Sequence, residues 1–219
     1  MVDYAAARRM MVDGQVRTFD VTDLRLLSAM LEVPRERFVP AAQLALAYSD
    51  HPIPLNAAGT RCMLTPMVLA KLLQAAEIGP EDRVLVIGSG GGYGAAVLGR
   101  LVASVVALEE DSDLARRATE SLAAAGSDNV SVATGPLTAG WPQGAPYDVI
   151  VLEGACEETP HALCGQLTDG GRLVCMLGRG LSGKAMVYRN VGGDVSGRPV
   201  FDAAAPVLPG FARKPEFVF

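Results

Sequence analysis

The stretch Arg83-Val-Leu-Val-Ile-Gly-Ser-Gly-Gly-Gly-Tyr-Gly94 limits what this chain can fold into more than any other. Val84 to Ile87 is a short apolar run of the kind that forms a buried strand. It stops at Gly88, Gly90, Gly91, Gly92 and Gly94, and the helix-forming run Ala95-Ala-Val-Leu-Gly-Arg-Leu101 follows. Glycine lets a turn take positive φ and lets backbone N–H groups approach a ligand with no Cβ in the way. A helix start then presents unpaired N–H groups to the same place. Twenty-one residues after Gly88, a second apolar run (Val105 to Leu108) ends in Glu109. A nucleotide-binding βαβ unit places a carboxylate there to accept the two ribose hydroxyls.

The glycines fit two registers. From Gly90 they match G-x-G-x-x-A, ending at Ala95, the dinucleotide pattern. From Gly88 they match G-x-G-x-G, which resembles the first motif of class I S-adenosylmethionine-dependent methyltransferases. The strand ends at Gly88, and the dinucleotide fold closes its strand with the first glycine, so the Gly88 register is favoured. No hydride-transfer partner is evident. A glycine-rich turn that binds nothing is the bland alternative, and strand, glycines, helix and acid in order argue against it.

A chain of 219 residues suits one well-buried domain with an extension. The net charge of −5 leaves no footprint for nucleic acid or an anionic membrane. No apolar run reaches the length of a bilayer span, and the first 28 residues are too interrupted by charge for a signal peptide. Cys62, Cys156, Cys164 and Cys175 show no C-x-x-C spacing, and only His51 and His161 could join them. Neither a metal site nor a disulfide framework is expected, and a reducing cytoplasm is the expected compartment. Cys156 and His161 lie near each other, but without a third orienting group they are read as a small apolar residue and a surface one.

In chain order, the patterns predict helices over 3–17, 21–31 and 41–47, then an irregular proline-rich segment over 48–55. Thr65-Pro66 is a helix start, a hydroxyl cap before proline at the first helical position. Beyond the 83–101 unit come strand 104–109, helix 112–125, strand 129–133, strand 147–152, helix 161–167 and strand 172–177. Strands over 184–191 and 217–219 flank a long Gly/Pro-rich loop. Alternation of this kind predicts an α/β fold, a doubly wound, mostly parallel sheet with ligands at the carboxyl ends of its strands. Residues 1–62 form a helical extension or lid, and 63–219 the binding domain.

Several segments together resemble protein-L-isoaspartate O-methyltransferases: Met11-Val-Asp-Gly-Gln-Val-Arg17, Val33-Pro-Arg-Glu-Arg-Phe-Val-Pro40, Ala47-Tyr-Ser-Asp50, Pro66-Met-Val-Leu-Ala70, the glycine loop, Gly140-Trp-Pro142, Ala145-Pro-Tyr-Asp-Val-Ile150 and Gln166 to Val174. The similarity covers most of 8–178 and fades after Gly178. It implies a Rossmann-like class I methyltransferase with a seven-stranded sheet, acting as a monomer. It implies S-adenosylmethionine as cofactor and repair methylation of isoaspartyl carboxylates in damaged peptides and proteins. It places the cofactor against Gly88, Ser89, Gly90, Gly92, Tyr93, Glu109, Gly135, Pro136 and Glu153. Tyr93 by its own character packs or caps the helix.

The chain departs from the family in four places. Leu64 stands where the family has a serine contacting the substrate carboxylate. Gly135-Pro136 replaces Gly-Asp, whose acid lies near the adenine amino group. Val86 replaces an acid two residues before the first glycine. Glu153-Gly-Ala-Cys-Glu-Glu158 replaces a run of small residues and proline. Methyl transfer to a carboxylate needs positioning rather than a general base, so losing the serine removes one orienting hydrogen bond, about 1.5–3 kcal/mol. Thr65 is a candidate replacement, unless its hydroxyl serves only as a cap. Arg61 is another, since a guanidinium grips a carboxylate in two places, unless it is a solvated loop charge. Glu153 follows the fourth strand, where it either orients a different nucleophile or is a plain strand-end acid. An altered acceptor, or a binding module without catalysis, is the alternative function.

Overall fold

The computed structural model describes residues 3–213. Helix α1 (Tyr4–Met11) starts where the Asp3 side chain accepts from the Ala6 amide. Instead of running on to residue 17, it loosens into a π turn (Val12–Val16) and a 3-10 turn (Arg17–Phe19). Val12, Gly14 and Val16 hold an α-helix weakly, and Asp20 at φ 62° ends the run. Helix α2 (Leu24–Glu32) begins at an Asp23 cap. The third predicted helix is a 3-10 segment (Ala41–Leu46). The irregular stretch contains half of a small antiparallel pair, β1 (Ile53–Pro54) with β2 (Cys62–Met63). Helix α3 (Pro66–Ala75) starts at Thr65, as predicted.

The main sheet follows: β3 (Arg83–Ile87), α4 (Tyr93–Gly99), β4 (Ser104–Glu109), α5 (Ser112–Ala124), β5 (Val130–Thr134), β6 (Tyr147–Cys156), α6 (His161–Cys164), β7 (Leu167–Leu177), β8 (Lys184–Val191) and β9 (Asp194–Asp202). The strands lie in the order β5-β4-β3-β6-β7-β8-β9, the first five mutually parallel, with β8 antiparallel to β7 and β9 antiparallel to β8. This is the mostly parallel seven-stranded sheet expected, with two corrections. The segment taken for a long loop contains strand β9, and helix α6 stops at Cys164 before Gly165, with β7 beginning at Leu167 rather than at residue 172. The expected strand at 217–219 lies outside the described residues.

Strand order reverses between β3 and β6, which opens a crevice at their carboxyl ends. The two faces are covered unequally. Val84, Val86, Val105, Val149 and Val174 share one core with α1 to α5, so the N-terminal helices pack into the sheet's own core. Leu85, Ile87, Leu108, Ile150 and Leu152 share the other core with α6, the turn around Leu137, and Leu208 and Phe211. No helix among the described residues is long and apolar enough to cross a membrane.

Candidate functional site

The glycine loop sits where β3 meets the crevice. The amides of Gly88 and Ser89 both donate to the Leu108 carbonyl, at 2.9 and 3.2 Å, which ties the loop to β4. Gly88 and Gly90 take φ of 72° and 55°, a conformation that explains their identity. Gly92 precedes α4, and Tyr93, the first helical residue, is buried.

Glu109 ends β4 opposite this loop, completely buried. Its partner is Arg61, donated from the loop before β2. Arg61 Nη1 lies 2.5 Å from Glu109 Oε1, and Nη2 2.8 Å from Oε2. Backbone amides fill the remaining positions: Gly90 donates to Oε2 at 2.8 Å, and Glu110 and Asp111 to Oε1 at 3.0 and 3.2 Å. Sequence reasoning placed Arg61 against a substrate carboxylate or in solvent. It is buried, and the carboxylate it grips is the chain's own.

A strap after β9 lies across the same edge. Ala155 donates to the Pro206 carbonyl at 2.8 Å, Leu208 to that of Ala155 at 2.9 Å, and Glu157 to that of Phe211 at 2.9 Å. This carries Leu208 onto the glycines. A Cβ on Gly88 would lie 2.9 Å from Leu208 Cδ2 and 3.1 Å from Arg61 Nη2, and one on Gly154 would lie 2.5 Å from Leu208 Cγ. Leu55 sits over Gly90 in the same way, 2.5 Å from where its Cβ would be. Nothing in the sequence singled out Leu208, whose only signal is its place in a segment where the family likeness has faded.

On the other side of the loop stands Arg35, fully buried. It donates to the carbonyls of Ala47 (2.8 Å) and Leu64 (2.7 Å) and lies 4.6 Å over the Tyr93 ring. Leu64, at the family's serine position, is thus held by its backbone, and its side chain is buried. Thr65 is half-buried, and its Oγ1 accepts from the Val68 amide at 3.3 Å, which is the cap expected of it. Glu153 is buried with Oε1 unpartnered among the described residues. Burial pushes its carboxyl up to about 8, against the pull of Arg61 and Arg35 and with the push of Glu109. A Cβ on Gly94 would overlap Glu153, so the second position of α4 takes a glycine.

Gly135, just after β5, is half-buried and donates its amide to the Glu109 carbonyl at 3.1 Å, which keeps it beside the Arg61–Glu109 pair, and Pro136 is exposed. Cys156 is buried beside Cys175, with Sγ atoms 3.6 Å apart, while His161 is exposed, so the two do not form a nucleophile and base. No group of three metal-ligating side chains exists among the described residues.

A seven-stranded, mostly parallel sheet with a glycine loop after its first strand in sequence, β3, and an acid at the end of the next, β4, is the class I methyltransferase fold. A family model described as protein-L-isoaspartate(D-aspartate) O-methyltransferase matches residues 8–202. The protein-L-isoaspartate O-methyltransferase 2 of Pelobacter propionicus is 42% identical over 171 residues, 78% of this chain and 75% of that one. A solved protein-L-isoaspartate O-methyltransferase has a TM-score of 0.81 at 26% identity, covering 93% of this chain and 66% of that one. Another, a candidate Plasmodium falciparum enzyme of this name in complex with S-adenosyl-L-homocysteine, shares the fold at a TM-score of 0.78 and 17% identity, covering 95% and 99%. The chain belongs to the protein-L-isoaspartate(D-aspartate) O-methyltransferase family, whose cofactor is S-adenosylmethionine.

The parts that would hold that cofactor are present, but they do not fit it as they stand. The glycine turn and Glu109 are in place, yet Arg61, Leu208 and Leu55 fill the space that a ligand on the glycines would take.

Proposed function

We propose that the protein is a protein-L-isoaspartate O-methyltransferase, transferring a methyl group from S-adenosylmethionine to isoaspartyl carboxylates in damaged proteins. The observation that carries this reading is the alignment of β3, the Gly88–Gly94 turn and Glu109 within a family match spanning 8–202. Carboxylates are competent nucleophiles at neutral pH, so the acceptor needs a fixed position and no proton removed. Thr65 suits that task. Its hydroxyl accepts from Val68 and still has a hydrogen to donate to a carboxylate oxygen, so capping and substrate orientation are compatible. Arg61 is unavailable for the acceptor while it holds Glu109. The net charge of −5 argues against nucleic acid or an anionic membrane as partner, and a cytoplasmic monomer is proposed by family analogy alone.

Radiolabelled methyl transfer to an isoaspartyl peptide, with the matching aspartyl peptide as control, tests the reading. Transfer to the isoaspartyl peptide alone is expected. Equal or absent transfer with cofactor demonstrably bound would remove this acceptor. Leu64 and the filled crevice favour a second reading, the same fold with another acceptor or with little catalysis.

A further inference from the structure

Glu109 stands where a cofactor's ribose is expected, yet both its oxygens are satisfied from within the chain. A ribose diol brings two O–H donors to the two oxygens of a carboxylate. The Arg61 guanidinium brings two N–H donors in the same paired arrangement, at 2.5 and 2.8 Å, and adds a positive charge. Arg61 is thus an internal counterpart of the diol. Leu208 is the second part, seated against Gly88 and Gly154 at separations that leave no room for another group. It belongs to a strap fastened by two backbone hydrogen bonds to Ala155 of β6 and one to Glu157 just beyond it, a small unit that can open without unravelling the sheet.

We propose that Arg61 and the strap 206–211 form an autoinhibitory latch: at rest the chain holds its adenosyl-cofactor crevice shut, and binding requires the guanidinium to leave Glu109 and Leu208 to leave Gly88. The identity of the ligand rests on the methyltransferase reading. Apparent affinity then falls by the fraction of molecules that are open. Removing Arg61 raises that fraction, and Glu109 keeps three backbone N–H donors to hold its charge.

Titration calorimetry with S-adenosylhomocysteine tests the latch on the wild type, Arg61→Ala and Leu208→Ala. Each variant is expected to bind at least about tenfold tighter than the wild type. Adding Glu109→Gln to Arg61→Ala is expected to cancel the gain. A wild type within twofold of the folded variants, whether all bind tightly or none binds, overturns the latch, and so does a gain that survives Glu109→Gln. Should circular dichroism show Arg61→Ala unfolded, Leu208→Ala decides by the same criterion. The isoaspartyl peptide assay on the opened variant separates the two ideas. Cofactor gained without methyl transferred leaves the latch standing and removes the acceptor.

Discussion

Arg35 and Arg61 flank the same glycine loop, are 0% and 4% exposed, and serve opposite ends. Arg35 braces the chain against itself. Its Nε and Nη2 donate to the carbonyls of Ala47 and Leu64, and Nη1 has no hydrogen-bond partner among the described residues. Its face lies on Tyr93, so the N-terminal segment, the loop before α3 and the start of α4 are tied together. Arg61 meets a carboxylate that three backbone amides already support. Residue type and depth are the same for both. What separates a brace from a latch is whether the partner has other donors when the arginine leaves.

The sharpest way to break this contrast is to delete each guanidinium and compare equilibrium urea unfolding. Arg35→Ala leaves a cavity and takes buried donors from two carbonyls, a loss of about 3–5 kcal/mol. Arg61→Ala is expected to cost less, about 3 kcal/mol, the low end for breaking a buried ion pair, because Glu109 retains its amides when it loses its counterion. Equal losses would erase the distinction.

Glu153 feels both arginines, and its titration sharpens the comparison. Its carboxyl titrates near 8 in the folded chain and near 4.5 in the unfolded one, so between those values only the folded state keeps the proton. Its contribution to stability therefore falls as pH rises through that window and levels off above about 8. Glu153→Gln is expected to stabilise by about 4 kcal/mol at pH 8 and by little at pH 4.5. Urea midpoints across that range check the slope, and a gain independent of pH would show that burial of the charge is not the cause.

The smallest effect concerns Thr65, next to the residue that Arg35 holds. Thr65→Ala is expected to cost about 1 kcal/mol as a lost cap. It should also lower isoaspartyl methyl transfer more than Thr65→Ser does, since serine keeps both the cap and the hydroxyl. If alanine and serine lose equal activity, the hydroxyl has no part in the reaction.

The order of strands and helices from α3 to β8 was legible in the sequence because apolar runs, caps and glycines there are local signals. Strand β9 was not, because Gly197 and Pro199 lie inside it and imitate a loop. An edge strand tolerates both, and β9 is the edge. The spacing from Gly88 located Glu109, but its partner is 48 residues away in a loop with no pattern of its own. Arg61 was singled out for the chemistry a guanidinium performs on a carboxylate. Which carboxylate it meets is a property of the folded chain alone. Leu208 lay beyond reach for the same reason, since an apolar residue among prolines and glycines says nothing of what it will cover.

Residues 206–211 come after every strand of the sheet, yet they touch its earliest parallel strand's exit loop at Gly88. A chain cut short before Pro206 would own the whole scaffold and lack the piece that lies across its rim. The boundary chosen for a recombinant version of this protein therefore decides whether its crevice is made with a cover or bare.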